Sequence, residues 1–335
     1  MLKKTKHLTK SSLSAMLGTV AMASVVCVAP ASAQGNYPSQ PVRIVVGFAP
    51  GGPTDVQARL LASKIGPILG QTVIVENKPG ASTTIALSEV ARAAPDGYTL
   101  SFGGSGAFAT TPVTMPSLSY DPVTSFAPIA MVGEEQIALA VNPSLPAKDL
   151  PELVALIKKD PGKYSFASSG HGNITHLTGE LLKNRLGNLQ LEHVAYKGAA
   201  PAVNDVLAGH VEIIVGGLGS VYSLHQSGKL RVLAITSKER ASYAKDIPTA
   251  DESGAKGLIS GSTFVLLAPA KTPDAVIQKL NQAVNQALKE DAYQQEMRTA
   301  YVEPVVGSTP ESTKKLLDTE LAQWKSLVQD SGLKF

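Results

Sequence analysis

Val42-Arg43-Ile44-Val45-Val46-Gly47-Phe48-Ala49-Pro50-Gly51-Gly52-Pro53-Thr54-Asp55-Val56-Gln57 reads as strand, turn and helix in one continuous stretch. Val42–Val46 is a β-branched apolar run of the length of a buried strand. Gly51-Gly52-Pro53 turns the chain. Thr54-x-x-Gln57 has the spacing of a capping box, and the helix it opens is expected to reach Leu69 and stop at Gly70. The alternation then repeats. Strands are expected at 72–75 and 98–102, with a helix over 83–94 between them. After a Pro- and Ser-rich linker (111–128) come a strand at 136–141 and a helix capped by Asp149-x-x-Glu152. Strands at 164–167, 191–194, 211–215 and 230–236 alternate with helices at 174–186, 199–208 and 221–226. A last apolar run, 264–268, precedes helices at 274–289 and 310–328. Strands alternating with helices at this spacing predict parallel α/β units.

The final helices lack strands of their own, so they are expected to pack back on the first half. That divides the chain into a discontinuous first lobe, 34–135 plus 260–335, and a second lobe, 136–259. Two crossovers, near 132–137 and 257–263, would join them around a cleft.

The amino terminus bears on compartment. Lys3, Lys4, Lys6 and Lys10 precede an apolar stretch from Leu13 to Val28, and Ala31-Ser32-Ala33 has the small-x-small form of a cleavage site. This predicts a signal peptide over 1–33 and an exported, periplasmic chain starting near Gln34. The chain has 30 Lys+Arg and 27 Asp+Glu; removing those four lysines leaves 26 basic against 27 acidic, a net of −1. The basic balance thus belongs to the leader and gives no reason to expect nucleic acid or an anionic membrane as partner. The single cysteine, Cys27, falls in the leader too. No disulfide is expected, and the core must hold the fold.

Four loops sit where strands are expected to end: Pro50–Asp55, Gly103–Gly106, Ser168–Asn173 and Gly216–Ser220. Ligands of open parallel sheets bind beyond such ends. Glycine lets backbone N–H groups approach a ligand closely, and a helix N-terminus behind the loop favours an anion. The loops offer Pro50, Gly51, Gly52, Thr54, Asp55, Ser105, Ser168, Ser169, Gly170, His171, Asn173, Gly216 and Gly217 as candidate ligand contacts. Tight βα turns with no ligand are the plain alternative for any one of them.

Motifs for chemistry are wanting. Gly104-Ser105-Gly106-Ala107-Phe108-Ala109 matches a loose dinucleotide fingerprint, but Pro112 comes too early for the required helix. There is no phosphate-binding G-x-x-x-x-G-K-[ST] and no G-x-S-x-G elbow. The six histidines, His7, His171, His176, His193, His210 and His225, show no metal-ligand spacing. No catalytic residue, metal or cofactor is expected. His176 reads as a buried helix residue, Lys197 as a surface lysine and Trp324 as core or interdomain packing, whereas His171 stands in a glycine loop.

The order of several short segments adds a resemblance. Tyr37-Pro38-Ser39-Gln40-Pro41-Val42-Arg43, Phe48-Ala49-Pro50-Gly51-Gly52-Pro53-Thr54-Asp55 and Val75-Glu76-Asn77-Lys78-Pro79-Gly80-Ala81 come first. Ala94-Pro95-Asp96-Gly97-Tyr98-Thr99-Leu100, Val141-Asn142-Pro143-Ser144-Leu145, Ser169-Gly170-His171-Gly172-Asn173, Tyr196-Lys197-Gly198 and Ala268-Pro269-Ala270 follow. Together they resemble the substrate-binding proteins of tripartite tricarboxylate transporters, the Bug receptors, across nearly the whole chain after residue 33. The resemblance implies a type II periplasmic-binding-protein fold, α/β, with two Rossmann-like lobes and a central ligand cleft. It also implies a carboxylate clamped by one loop from each lobe, here Pro50–Asp55 and Ser168–Asn173, and it adds Phe48 and Tyr196 to the candidate contacts.

Expected partners are a small mono- or dicarboxylic acid and the permease subunits of the inner membrane, with the protein itself a monomer. Departures from the family pattern are Gly47 for a common Pro, Ser82-Thr83 for Gly-Gly, and Gly216-Gly217-Leu218-Gly219-Ser220 for Asp-Asn-Leu-Pro-Ser. Losing that Asp is expected to disfavour a ligand amine. Two other readings stand beside transport: a sensor that docks on a membrane regulator, and a serine hydrolase built on Ser105 or Ser169 with His171.

Overall fold

The computed structural model describes residues 37–115 and 117–331. The expected leader and Cys27 lie outside the described residues. Among the described residues no helix is long and apolar enough to cross a membrane.

The first half runs β1 (Val42–Val46), α1 (Pro53–Leu69), β2 (Val73–Asn77), a 3₁₀ turn (Ala81–Thr83), α2 (Thr84–Ala91), β3 (Thr99–Gly104), α3 (Gly106–Ala109) and α4 (Thr111–Thr114). Then come β4 (Phe126–Val141), α5 (Leu150–Lys159), β5 (Ser165–Ser168), α6 (Ile174–Arg185), β6 (Glu192–Ala195), α7 (Ala199–Ala208), β7 (Ile213–Gly217), α8 (Leu218–Gln226) and β8 (Arg231–Ile235). The chain closes with β9 (Gly261–Pro269), α9 (Asp274–Leu288), α10 (Asp291–Thr299), β10 (Glu303–Pro304) and α11 (Pro310–Ser331).

Local chemistry explains most boundaries. α1 stops at Gly70, whose left-handed backbone (φ 69°) turns its N–H onto the Gly66 and Pro67 carbonyls. Asp149 caps α5 by accepting from the Glu152 N–H at 2.8 Å, as its spacing predicts. The capping box expected at Thr54 and Gln57 does not form. Pro53 takes the first helical position, where its fixed φ suits the helix, so Gly52 becomes the cap and no side chain closes it. Gln57 is buried instead.

The sheet order is β2-β1-β3-β9-β4-β7-β5-β6, with β8 and β10 also paired to β4. β1, β2 and β3 are parallel, as are β5, β6 and β7, while β4 and β9 run antiparallel between the two sets. One core, with Ile44, Leu61, Phe102, Phe264 and Leu280, lies under α1 and α9; another, with Leu139, Leu153, Phe166 and Ile213, lies under α5 and α6. The curled sheet therefore makes two Rossmann-like lobes. α9 packs on α1, as expected for the returning helices. α11 contacts α3 and α4, and Trp324 sits in a cluster with Ala109 of α3 and Leu177 of α6, so it bridges the lobes.

Register locates the crevice. β3 ends at Gly104 beside Phe264, and Phe264 faces Gly133 of β4. β7 ends at Gly217 beside Ile137 of the same strand. Four steps along β4, roughly 13 Å at strand rise, thus separate the carboxyl ends of the two parallel sets. Loops after β1 and β3 face loops after β5 and β7 across that gap.

Candidate functional site

The first loop is held from within. Asp55 is buried on the first turn of α1 and its carboxylate accepts from the Gly51 N–H at 2.9 Å, from Arg59 Nε at 3.0 Å and from Asn77 Nδ2 at 2.9 Å. Burial alone would raise its pKa; the hydrogen bonds from Arg59, Gly51 and Asn77 outweigh that and hold it below the ordinary carboxylate value. Asn77, at the end of β2, also donates to the Phe48 carbonyl at 3.0 Å. Asp55 therefore shapes the loop and its charge is already neutralised by Arg59. Gly51 needs its left-handed backbone (φ 84°), whereas Gly52 is extended (φ −79°). Phe48, Pro50 and Gly51 are exposed, and Gly52 and Thr54 are partly so.

The departures at Gly47 and Thr83 are one feature. A Cβ on Gly47 would fall 2.7 Å from Thr83 Cβ, so the two positions share one space. The larger side chain simply stands on the other partner.

The second loop is braced by histidines. Ser168 Oγ lies 2.7 Å from His193 Nε2 and donates to the Gly170 carbonyl at 3.0 Å. The Gly172 N–H donates to His176 Nδ1 at 3.0 Å. The His176 and His193 rings stack at 3.6 Å, nearly parallel, with the exposed His171 ring 5.0 Å from His176. Desolvation first, then the neighbouring histidines and Lys183, push His176 down to about 3; desolvation, His171 and Lys183 push His193 down to about 4. Both rings are neutral at pH 7. Asn173 caps α6 through the His176 N–H at 3.1 Å and donates to Ser169 Oγ at 3.0 Å. Tyr196 joins from the end of β6: its N–H donates to the Ser168 carbonyl at 3.1 Å, and its hydroxyl to Asp205 at 2.7 Å.

The remaining candidates separate. Ser105 is fully buried; its oxygen accepts from the Thr263 N–H at 3.1 Å and shares a hydrogen bond with Glu320. It ties β3 to β9 rather than joining either loop. Gly216 and Gly217 are buried at the end of β7, where Gly217 meets Glu135 of β4. Residues that the sequence reading did not offer for the site are Arg59, Asn77, Thr175 and His193, each of which braces a loop from a different element.

Nothing here makes a hydrolase. Ser168 is buried, Ser169 Oγ bonds Thr175 and Asn173, and among the described residues no carboxylate is hydrogen-bonded to His193. The stacked rings also point their in-plane lone pairs past each other, and no group of three His, Cys, Asp or Glu among the described residues is placed to hold a metal. What the site offers is two rigid, glycine-rich turns ahead of helix N-termini, suited to an anion.

Comparison with known proteins agrees. Residues 57–333 match the model of the tripartite tricarboxylate transporter family receptor. Protein BugT of Bordetella pertussis is 35% identical over 323 residues, covering 96% of this chain and 98% of its own. The structure of the R. palustris protein Rpa4515 with adipate superposes with a TM-score of 0.83 at 32% identity, covering 89% of this chain and 99% of that one. The structure of MatC from Rhodopseudomonas palustris with bound malate gives 0.80 at 31%, covering 87% and 100%. The chain belongs to the tripartite tricarboxylate transporter receptor family, as a binding protein of the Bug type and not an enzyme.

Proposed function

We propose that this receptor captures a small mono- or dicarboxylic acid between its lobes in the periplasm and passes it to the membrane subunits of a tripartite tricarboxylate-type transporter. The observation that carries the reading is the pair of braced loops, Phe48–Asp55 and Ser168–Asn173. Side chains hold the Gly51, Ser169, Gly170 and Gly172 N–H groups from within and so fix both turns, which leaves the uncapped first turn of α1, with the Thr54 hydroxyl, and the first turn of α6 to meet a carboxylate. That similar proteins carry adipate and malate supports the ligand class. On this reading 34–135 and 260–335 form one lobe and 136–259 the other, the leader is cleaved near Ala33, and the receptor is a monomer. The hinge is the gap in β4 between Gly133 and Ile137 together with Ser260–Thr263.

Thermal melts of the purified protein against C3–C6 mono- and dicarboxylates, with their amides as controls, test this. Stabilisation by at least one acid and not by its amide is expected. No shift with any acid would refute it. Native mass spectrometry should show a co-purified acid or a clean apo mass.

A further inference from the structure

Four residues line up across the strand ends where the lobes meet. In the order β3-β9-β4-β7 they are Gly104, Ser262, Glu135 and Gly217. A Cβ on Gly104 would collide with Ser262 Oγ. Ser262 pairs directly with Glu135 in the β9–β4 ladder, so both side chains leave the same face. A Cβ on Gly217 would collide with Glu135 Oε1. Neither glycine has a left-handed backbone, and Gly217 (φ −59°, ψ 136°) has one any residue adopts. A side chain at either position would have to push the Ser262 hydroxyl or the Glu135 carboxylate from its place: the two glycines leave those groups their present room.

That carboxylate is unusual in its setting. Most acids around the loops are paired: Asp55 with Arg59, Glu76 with Arg43 and Lys78, Glu180 with Lys183. Glu135 makes no hydrogen bond or ion pair with the described residues, and neither does the nine-tenths-buried Ser262 hydroxyl. Tyr243 faces Glu135 electrostatically but gives its proton to Gln136 and to the Tyr301 carbonyl. Desolvation pushes the Glu135 carboxyl up to about 7, while the side chain keeps partial access to solvent. An unpaired, desolvated acid is costly to keep unless something binds it.

We propose that Glu135 and Ser262 are a ligand subsite at the crevice floor, which takes a hydrogen-bond donor, an ammonium or a hydroxyl, carried by the bound carboxylate. This rests on the carboxylate reading above and narrows it to amino or hydroxy acids. It also reverses the expectation from Gly216-Gly217: the acid missing from the end of β7 is supplied by β4, through the space Gly217 leaves.

Calorimetric titration with matched probes tests it: succinate, malate and aspartate, and adipate with its 2-hydroxy and 2-amino derivatives. The wild-type protein is expected to bind a substituted acid about tenfold or more tightly than its bare partner, the scale of one hydrogen bond to a charged group. Glu135→Gln is expected to remove most of that preference while changing bare-acid affinity less than about threefold. An ammonium preferred over a hydroxyl identifies an ionised Glu135 as its counter-ion, and equal preference identifies a plain acceptor; either supports the subsite. Bare acids bound as tightly as substituted ones, or a preference that survives Glu135→Gln, overturn it alone. Failure of every probe to bind overturns the carboxylate reading with it.

Discussion

Asp55 reaches back four residues to accept the Gly51 N–H at 2.9 Å, so this acid braces the loop in which it stands. Removing it takes away the carboxylate that Arg59 and Asn77 both bond, and leaves them their bond to each other and that of Asn77 to the Phe48 carbonyl. Asp55→Ala is expected to destabilise the protein by about 1–3 kcal/mol and to weaken carboxylate binding more than tenfold, the loop having lost its shape. Because the folded-state pKa is depressed, this contribution is present above the ordinary Asp value and is lost only as pH falls through the lower folded one. Wild-type and variant melts should therefore differ by a constant gap between pH 5 and 8. A gap that closes within that range would contradict the bracing role.

Gly52 and Gly51 are expected to behave differently under substitution. Gly52 is extended, and a Cβ there meets only the Ala49 carbonyl oxygen, at 3.7 Å. Gly52→Val should fold with a change within about 0.5 kcal/mol yet lose carboxylate affinity, since the side chain covers the N–H groups. Gly51→Val meets open space but must hold a left-handed backbone, and should lose about 1–2 kcal/mol of stability as well. Calorimetry with the best-binding carboxylate, beside melts of both variants, checks this. Unchanged affinity in folded Gly52→Val would put the carboxylate elsewhere.

The stacked histidines set an acid limit. In the unfolded chain His176 and His193 titrate near 6.5; folded, they titrate near 3 and 4. Below about pH 6 the unfolded state takes up two protons that the native state refuses, so stability is full above 6.5 and falls as pH drops toward 4. The limiting slope is roughly 2.7 kcal/mol per pH unit for two protons. Glu180 lies 3.8 Å from His176 and Lys183 binds Glu180, and neither offsets the effect. Urea unfolding at pH 7, 6 and 5 measures it, and His176→Gln should roughly halve the slope. A flat profile would show that the stack protonates readily in the native state. Carboxylate binding by the molecules that stay folded should persist through this window and fail only near pH 3, where a proton on His176 Nδ1 removes the acceptor for the Gly172 N–H.

Much of this was legible in sequence where one local signal dominates. Val42–Val46 and Ala199–Ala208 have the bounds their pattern predicts. β4 did not: Pro128, Gly133 and Glu134-Glu135 interrupt its apolar pattern, so only 136–141 read as strand, and bulges beside Pro128 and Gly133 absorb the breaks. α10 and β10 were missed because a mostly polar amphipathic turn and a two-residue strand carry little signal. Both candidate loops were legible from their glycines at expected strand ends, although the capping box expected at the first does not form. Their braces were not, because Asn77 reaches Asp55 across 22 residues and His193 reaches Ser168 across 25. Ser105 looked like a loop contact because glycines flank it; its tie to Thr263, 158 residues on, is invisible locally.

Trp324 gives the last prediction. It is buried against Ala109, Leu177 and Leu321, with Val113, Ile174, Leu327 and Val328 packed around. These residues come from α3 and α4 in one lobe, α6 in the other and α11 along both. Beside them the Thr114 hydroxyl donates to the Gly172 carbonyl at 3.1 Å, and a Cβ on Gly106 would press Ile174. One flank of the crevice is thus closed by a dry contact shared by both lobes, and any opening must work against it. Trp324→Ala should cost about 3–5 kcal/mol in global stability and loosen the lobes. Small-angle scattering is expected to show a larger radius of gyration for the ligand-free variant than for ligand-free wild type, with saturating carboxylate bringing the two together. Equal radii without ligand, in a variant that still melts cooperatively, would mean that the hinge strands alone set the opening.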